Sequence, residues 1–238
     1  MLKNNPPKLE PLYDKKVQCI LCRHSFTTKK VRSRFVKPKQ TDTDFGPLFA
    51  PEDGNNPLLY YVVICPQCGY SFTQDFRKSI SGTAKQIIID KISSKKGEDF
   101  DYSEQRDFAI AERAYKLAIY CGQLTKEKSI ALAKLCLRLG WLYRNVGNES
   151  EELRFLNFAA EEFEQAYIKS EFDPLNTPEI YILYMIGELK RRLGAHNEAV
   201  QYFSAVTEHQ DRSRYTKYVN LARKQWRLTA EEYRTHAE

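Results

Sequence analysis

Val17-Gln18-Cys19-Ile20-Leu21-Cys22-Arg23-His24-Ser25-Phe26-Thr27 and Val63-Ile64-Cys65-Pro66-Gln67-Cys68-Gly69-Tyr70-Ser71-Phe72-Thr73 are two copies of one pattern, offset by 46 residues. The Val, both Cys and the Ser-Phe-Thr run recur at every equivalent place. Such self-similarity predicts two copies of one strand–turn–strand unit, related by an approximate two-fold. Each Cys-x-x-Cys is a tight loop that brings two sulfurs within reach of one ion, and its backbone amides can hydrogen-bond those sulfurs. Two such turns complete a tetrahedral zinc site with Zn–S bonds of ~2.3 Å. The spacing therefore predicts a structural zinc held by Cys19, Cys22, Cys65 and Cys68, with strands over Lys16–Gln18, Phe26–Val31, Tyr60–Ile64 and Tyr70–Phe76. Gly69 suits the positive φ that often follows the second cysteine, whereas Arg23 at the matching place makes the first turn the less regular copy. Phe26 and Phe72 are expected to pack together beneath the metal.

Competing chemistries fit less well. A redox Cys-x-x-Cys needs a helix after its first cysteine and normally stands alone, not as two pairs in register. A catalytic zinc keeps an open position and often uses His or carboxylate ligands. His24 is the nearest extra group, and an exposed histidine on a knuckle is its plainer reading. The 42 residues between the two pairs exceed the roughly 15–20 usual for such ribbons. Arg32 to Leu59 therefore reads as a long insert, mostly loop, in which Asp42 and Asp44 suit a solvated turn as well as paired-carboxylate chemistry.

The chain has 238 residues and a net charge of +6. Residues 1–80 hold 13 Lys/Arg against 7 Asp/Glu, and the rest hold 24 of each, so the whole excess lies in the first third. No apolar run approaches the ~20 residues of a membrane helix, and the start of the chain lacks the apolar core of a secretory signal. A cytoplasmic protein with reduced thiols is expected, without a membrane partner. Lys29 to Lys39 is a basic run, and strand alternation would put Lys30, Arg32 and Arg34 on one side as a phosphate-contacting strip. No nucleic-acid-binding motif accompanies it, and a solvated edge strand protected by Lys and Arg explains it too.

After Gly97 the vocabulary becomes helical. Ser93 to Gly97 is the expected linker inside a connecting segment 81–98, between a zinc-ribbon-like domain at 1–80 and an all-α array at 99–238. Ile186-Gly187, Gly194, Ala199, Phe203 and Val206 follow the small–large pattern of a tetratricopeptide repeat. Gly187 and Ala199 would let two antiparallel helices approach, Gly194 would turn between them, and Thr177 would cap the first at Pro178. Leu139-Gly140, Tyr143, Gly147, Ala159, Phe163 and Ala166 repeat the pattern with seven extra residues, about two helical turns. Ala111, Tyr115 and Ala118 suggest a partial unit, and a helix near Arg214–Thr235 a cap. Cys121 and Cys136 read as small buried hydrophobes. Carrying the repeat register across places Lys134, Trp141, Arg144 and Asn145, then Tyr181, Tyr184, Glu188, Arg191 and Arg192, on the concave groove. Aromatic and Arg side chains there suit an acidic or carboxylate-ended peptide. The alternative is that the aromatics pack between helices and the arginines are solvated.

Leu12-Tyr13-Asp14-Lys15-Lys16-Val17, Lys30-Val31-Arg32-Ser33, Asp42-Thr43-Asp44-Phe45, Asn56-Pro57-Leu58-Leu59-Tyr60 and Val63-Ile64-Cys65-Pro66-Gln67-Cys68-Gly69-Tyr70, with the first cysteine pair, resemble an uncharacterised bacterial family catalogued as a domain of unknown function, number 2225. The resemblance implies a cytoplasmic bacterial protein and brings no activity with it.

The expectation is thus an α+β chain: a zinc-ribbon-like β domain followed by a tetratricopeptide-like helical array. The function expected is non-enzymatic. Zinc holds the ribbon, and a protein or peptide partner binds through Trp141, Arg144, Asn145, Tyr181, Tyr184 and Arg191. The alternative is a nucleic-acid-binding regulator using Lys30, Arg32 and Arg34.

Overall fold

The computed structural model describes residues 9–97 and 102–237, with side chains as far as Arg234. The expected array boundary at residue 99 lies outside the described residues. Among them the chain forms three two-stranded antiparallel sheets and then seven α-helices.

The duplication is visible in the hydrogen bonding. β1 (Leu12–Gln18) pairs with β2 (Ser25–Val31), with Val17 opposite Phe26 and Gln18 opposite Ser25. Within the insert, β3 (Gln40–Thr41) pairs with β4 (Pro47–Leu48). β5 (Val63–Ile64) then pairs with β6 (Ser71–Phe72), with Val63 opposite Phe72 and Ile64 opposite Ser71, the same register 46 residues on. Each knuckle closes alike: Cys19 N donates to His24 O and Arg23 N to Cys19 O, as Cys65 N donates to Tyr70 O and Gly69 N to Cys65 O. Gly69 has φ +72°, and Arg23 takes the same left-handed conformation at +66° despite its side chain. The expected Phe26–Phe72 contact is not among the ring pairs of the described residues. Exposed His24 stacks on Phe26, while Phe72 stacks on buried Tyr70.

The connecting segment is more than a linker. α1 (Gly82–Lys91) is capped by Ser81, whose side chain accepts from Ala84 N. A 3-10 turn at Ser93–Lys95 follows, Ser93 Oγ donates to Cys68 O, and Lys96 Nζ reaches Pro66 O. The segment expected to be free thus folds back over the second knuckle, satisfying its carbonyls.

α2 (Phe108–Leu124), α3 (Ser129–Asn145), α4 (Glu149–Ile168), α5 (Glu179–Arg192), α6 (His196–Glu208) and α7 (Thr216–Ala237) pack against one another in chain order. α4 has 20 residues and α6 has 13, the seven-residue stretch read from the sequence. The helix pairs meet at small residues: a Cβ on Gly187 would stand 2.8 Å from the Phe203 ring. Leu-, Phe- and Ala-rich faces of these helices bury Leu135, Leu139, Phe163, Ile186 and Phe203. Thr177 does not cap α5; it is buried and pairs with Asp173 through the backbone in both directions. Cys121 and Cys136 are buried as expected, and burial pushes both thiols up to about 12.

One apolar core runs from the knuckles to α7. Tyr115 of α2 donates to Leu58 O, and Arg106 donates to the carbonyls of Val62 and Tyr102. The ribbon and the array are therefore joined through packed side chains and not merely by a tether.

Candidate functional site: a four-cysteine centre and a filled helical groove

The repeated knuckles bring all four sulfurs together. Cys19 Sγ lies 3.6 Å from Cys68 Sγ and Cys22 Sγ lies 3.6 Å from Cys65 Sγ. All four lie within 4.8 Å of one another. A tetrahedral ion with ~2.3 Å bonds to sulfur needs edges of about 3.8 Å, so the donor set fits a metal. The separation is far beyond the ~2.05 Å of a disulfide, and the four thiols are free. Backbone amides of Leu21 and Cys22 point at the Cys19 sulfur, and that of Tyr70 at Cys68. With no cation between them, the crowded thiols perturb one another: hydrogen bonds from Cys19 and Cys68 hold Cys65 below the ordinary thiol value, while the contact with Cys65 pushes Cys19 above it. A metal cation would remove that conflict by replacing the shared protons. Among the described residues this is the one cluster of His, Cys, Asp or Glu placed to hold a metal. His24 is exposed on the knuckle and takes no part in it.

The groove residues also come together, and what they meet is the chain's own insert. β3 and β4 form a small hairpin whose turn, Asp42 to Gly46, enters the helical array between α3, α5 and α7. Asp44 is fully buried, which replaces the expected solvated turn. Its carboxylate accepts from Trp141 Nε1 at 3.0 Å and from Arg144 Nη1 and Nη2 at 3.0 and 2.6 Å. Arg144 also binds Asp42 at 3.2 Å and Glu152 at 2.7 Å. Asp42 takes a second cation, Arg192, at 2.8 Å. Asn145 Oδ1 accepts from Phe49 N, and Tyr184 donates to Thr43 O at 2.7 Å. Buried Glu188 gathers Thr43 Oγ1, Arg191 and Arg192, and Arg191 reaches on to Glu232 at 2.7 Å. Phe45, at φ +66°, lies among Tyr181, Tyr184 and Tyr218, with Lys217 above its ring.

The electrostatics follow from this pairing. Burial alone would raise the pKa of Asp44, but the hydrogen bond from Arg144 and the charges of Arg192 and Arg144 hold it below the ordinary carboxylate value. The same contest lowers Asp42, with Arg192 the leading partner. Trp141 is 7 % exposed, and the Arg144 and Arg191 side chains are 11 % and 13 % exposed. None of the three is the open, solvated group that a vacant groove would present. Gly46 makes the approach possible, because a Cβ there would stand 2.7 Å from the Trp141 ring and 2.8 Å from Arg144.

The basic strip does not form as a strand face. β2 ends at Val31, and Ser33–Phe35 is a 3-10 turn, so the alternation linking Lys30, Arg32 and Arg34 is broken. Arg32 stacks over Tyr13 and donates to Glu10 O, Arg34 lies against Phe35, and Lys30 is half-buried opposite Tyr13. Lys134, expected on the groove, pairs with Asp75.

The residues expected to line a groove lie on α3 and α5, and what the sequence reading missed is that residues 42–49 pack against them. The available signal was Asp42-Thr43-Asp44-Phe45, an acidic segment with an aromatic, which matches the ligand chemistry read from the groove itself. Tyr218 on α7 carried no comparable signal.

Fold and site together define an α+β protein with a four-cysteine centre suited to a metal ion and a helical array closed over an internal acidic segment. The chain belongs to the family of uncharacterized proteins conserved in bacteria (DUF2225), whose family model matches residues 12–229. Comparison with curated proteins and with solved structures finds no match. No helix among the described residues is long and apolar enough to cross a membrane.

Proposed function

We propose that this is a non-enzymatic zinc protein whose helical groove takes a short acidic segment bearing an aromatic residue, and that in the isolated chain its own residues 40–49 hold that place. Zinc is the metal assigned because four thiolates in a tetrahedron favour it and leave no open position for a substrate. The metal's role is then to fix both ends of the insert, which leaves Cys22 and returns at Cys65. The observation that carries the reading is the set of bonds from Trp141, Arg144, Asn145 and Tyr184 to residues 43–49. A partner protein of the same local chemistry would use the same donors on Trp141, Arg144 and Tyr184, with Asn145 Oδ1 accepting.

The test uses a chain in which residues 40–49 are replaced by a Gly/Ser loop of equal length. A peptide with the sequence of Gln40–Phe49 is added in trans and followed by calorimetry. The loop variant should bind the peptide, the unmodified protein should not, and Arg144→Ala in the loop variant should abolish binding. A loop variant that keeps its helicity and ignores the peptide would reject the groove as a peptide acceptor. Elemental analysis giving no zinc in freshly purified protein would reject the metal assignment separately.

A further inference from the structure

The outward face of α7 carries a run of exposed cations. Val219, Ala222, Gln225 and Thr229 are buried against the neighbouring helices. On the opposite side Lys217, Asn220, Arg223, Lys224, Arg227, Glu231 and Arg234 are exposed. At 3.6 residues per turn these seven fall on one stripe, and from Lys217 to Arg234 the stripe runs about 26 Å. Arg212 and Arg214, in the turn before the helix, extend it and are exposed as well.

Within the helices Lys116, Lys134, Arg144, Arg154, Lys190, Arg191 and Arg192 each lie within 4.0 Å of a carboxylate, whereas exposed Arg113, Lys126 and Lys128 stand singly and do not form a row. Among the described residues no such ion pair involves Arg212, Arg214, Lys217, Arg223, Lys224, Arg227 or Arg234. Two of them touch only aromatic rings: Arg214 lies over Tyr215 and Lys217 over Phe45 and Tyr218. Of the two carboxylates between Arg212 and Arg234, Glu231 lies on the stripe and Glu232 is turned inward to Arg191. The result is a straight line of positive charge on a rigid element, at the far end of the molecule from the knuckles in chain order.

We propose that this face of α7 binds the phosphate backbone of duplex DNA. Polyanion chemistry follows from the charge, and guanidinium groups, five of the seven cations, suit bidentate phosphate contact. A single strand is disfavoured because the stripe carries no exposed aromatic among its cations for bases to stack on. A bilayer is disfavoured because the apolar side of the helix is spent on the array, leaving exposed only Leu228 beside the stripe and Tyr233 away from it near the helix end among the described large apolar residues of α7. A duplex offers one charge per ~1.7 Å along its axis, so several phosphates come within reach of a 26 Å row of cations. The contact is to phosphate and is therefore independent of base sequence. Apart from Lys217, which also lies over Phe45, this site is separate from the groove, and it is separate from the strip at Lys30, Arg32 and Arg34.

The experiment is fluorescence anisotropy with a 20-base-pair duplex, from 50 to 200 mM KCl, using the full chain loaded with zinc. If the five helical cations each neutralise one phosphate, the log–log slope should reach about −4.5, a loss of several hundredfold in affinity over that range. Arg223→Gln, Lys224→Gln and Arg227→Gln together should flatten the slope by up to about 2.7 units and weaken binding at 50 mM KCl at least tenfold. These side chains are exposed, and circular dichroism checks that the triple variant is folded. Lys30→Ala, Arg32→Ala and Arg34→Ala together should leave the slope as it was. The proposal is overturned by absence of binding at 50 mM KCl or by a folded triple variant that binds like the parent. It is equally overturned by tighter binding to polyglutamate, to a 20-nucleotide single strand, or to vesicles containing phosphatidylserine.

Discussion

Arg144→Ala should be among the most damaging single substitutions outside the metal centre. The guanidinium makes four hydrogen bonds: to Glu152 at 2.7 Å, to Asp42 at 3.2 Å, and to the two oxygens of Asp44 at 3.0 and 2.6 Å. Its side chain is 11 % exposed and that of Asp44 is fully buried. Truncation leaves Asp44 charged, dehydrated and served only by Trp141 Nε1, the Gly46 amide and Arg192 at 4.0 Å. Charge-assisted hydrogen bonds of this kind contribute ~1.5–3 kcal/mol each, but four such values do not add. Removing one partner of a buried pair costs about 3–5 kcal/mol, mostly because the other charge is stranded. An exposed arginine would cost under about 1 kcal/mol. For a chain of this size ~1 kcal/mol shifts Tm by about 2–4 °C, so a fall on the order of 10 °C is expected. Urea unfolding of Arg144→Ala, Asp44→Asn and the double variant forms a cycle. The double variant should lose much less than the two single losses combined, since the Asp44 carboxylate that Arg144→Ala strands is then neutral. A loss below about 1 kcal/mol for Arg144→Ala, or additive losses, would refute the buried-network reading.

Four further outcomes follow from the same geometry. Asp42 and Asp44 have folded pKa values below their ordinary ones, so their contribution is fully present above the unfolded value near 4 and is lost as pH falls through the folded values; acid titration should weaken the parent more steeply below pH ~4 than it weakens Asp42→Asn/Asp44→Asn. Cys65→Ser should abolish stoichiometric zinc, read by elemental analysis, and increase amide exchange over residues 12–76 while most helical ellipticity persists. Arg23→Gly should stabilise the zinc-bound protein by about 1 kcal/mol in urea, because the left-handed φ of +66° no longer carries a Cβ. Gly46→Ala should cost about 1–3 kcal/mol, since the new methyl meets the Trp141 ring, and the indole fluorescence should change with it.

Much of the fold was legible because its information is local. The 46-residue offset between two knuckles announced two equivalent strand–turn–strand units, but the strands expected over Tyr60–Ile64 and Tyr70–Phe76 shrink to Val63–Ile64 and Ser71–Phe72, because Pro57–Tyr60 turns as a 3-10 helix. The helix lengths followed from counting between small residues: Gly147 to Ala159 against Gly194 to Ala199 gave the difference between α4 and α6. The knuckle at Arg23 was less legible, because a left-handed residue other than glycine leaves no mark in composition. The strip at Lys30, Arg32 and Arg34 failed for a similar reason, since alternation presumes a strand and the chain turns at Ser33.

The insert shows the limit more sharply. Asp42 and Asp44 in a stretch rich in Pro, Gly and Asn have the composition of a solvated turn, and the arginines of α3 and α5 have that of a solvated rim. Each reading, taken alone, is the ordinary one for its residue type. Together they are a pair, with opposite charges on segments 100 residues apart, and burial of either is tolerable only with the other present. The cationic and aromatic chemistry was read from α3 and α5 and the acids Asp42 and Asp44 from the loop, and the structure adds Phe45 to the insert's side; the two sets are complementary. A long insert whose ends, Cys22 and Cys65, meet in the four-cysteine cluster has little freedom to wander, because the closure entropy of the loop is already spent in bringing those cysteines together. Complementary chemistry between a tethered loop and a groove in the same chain is therefore better read first as an intramolecular contact, with an outside partner competing against a ligand that is never more than one loop length away.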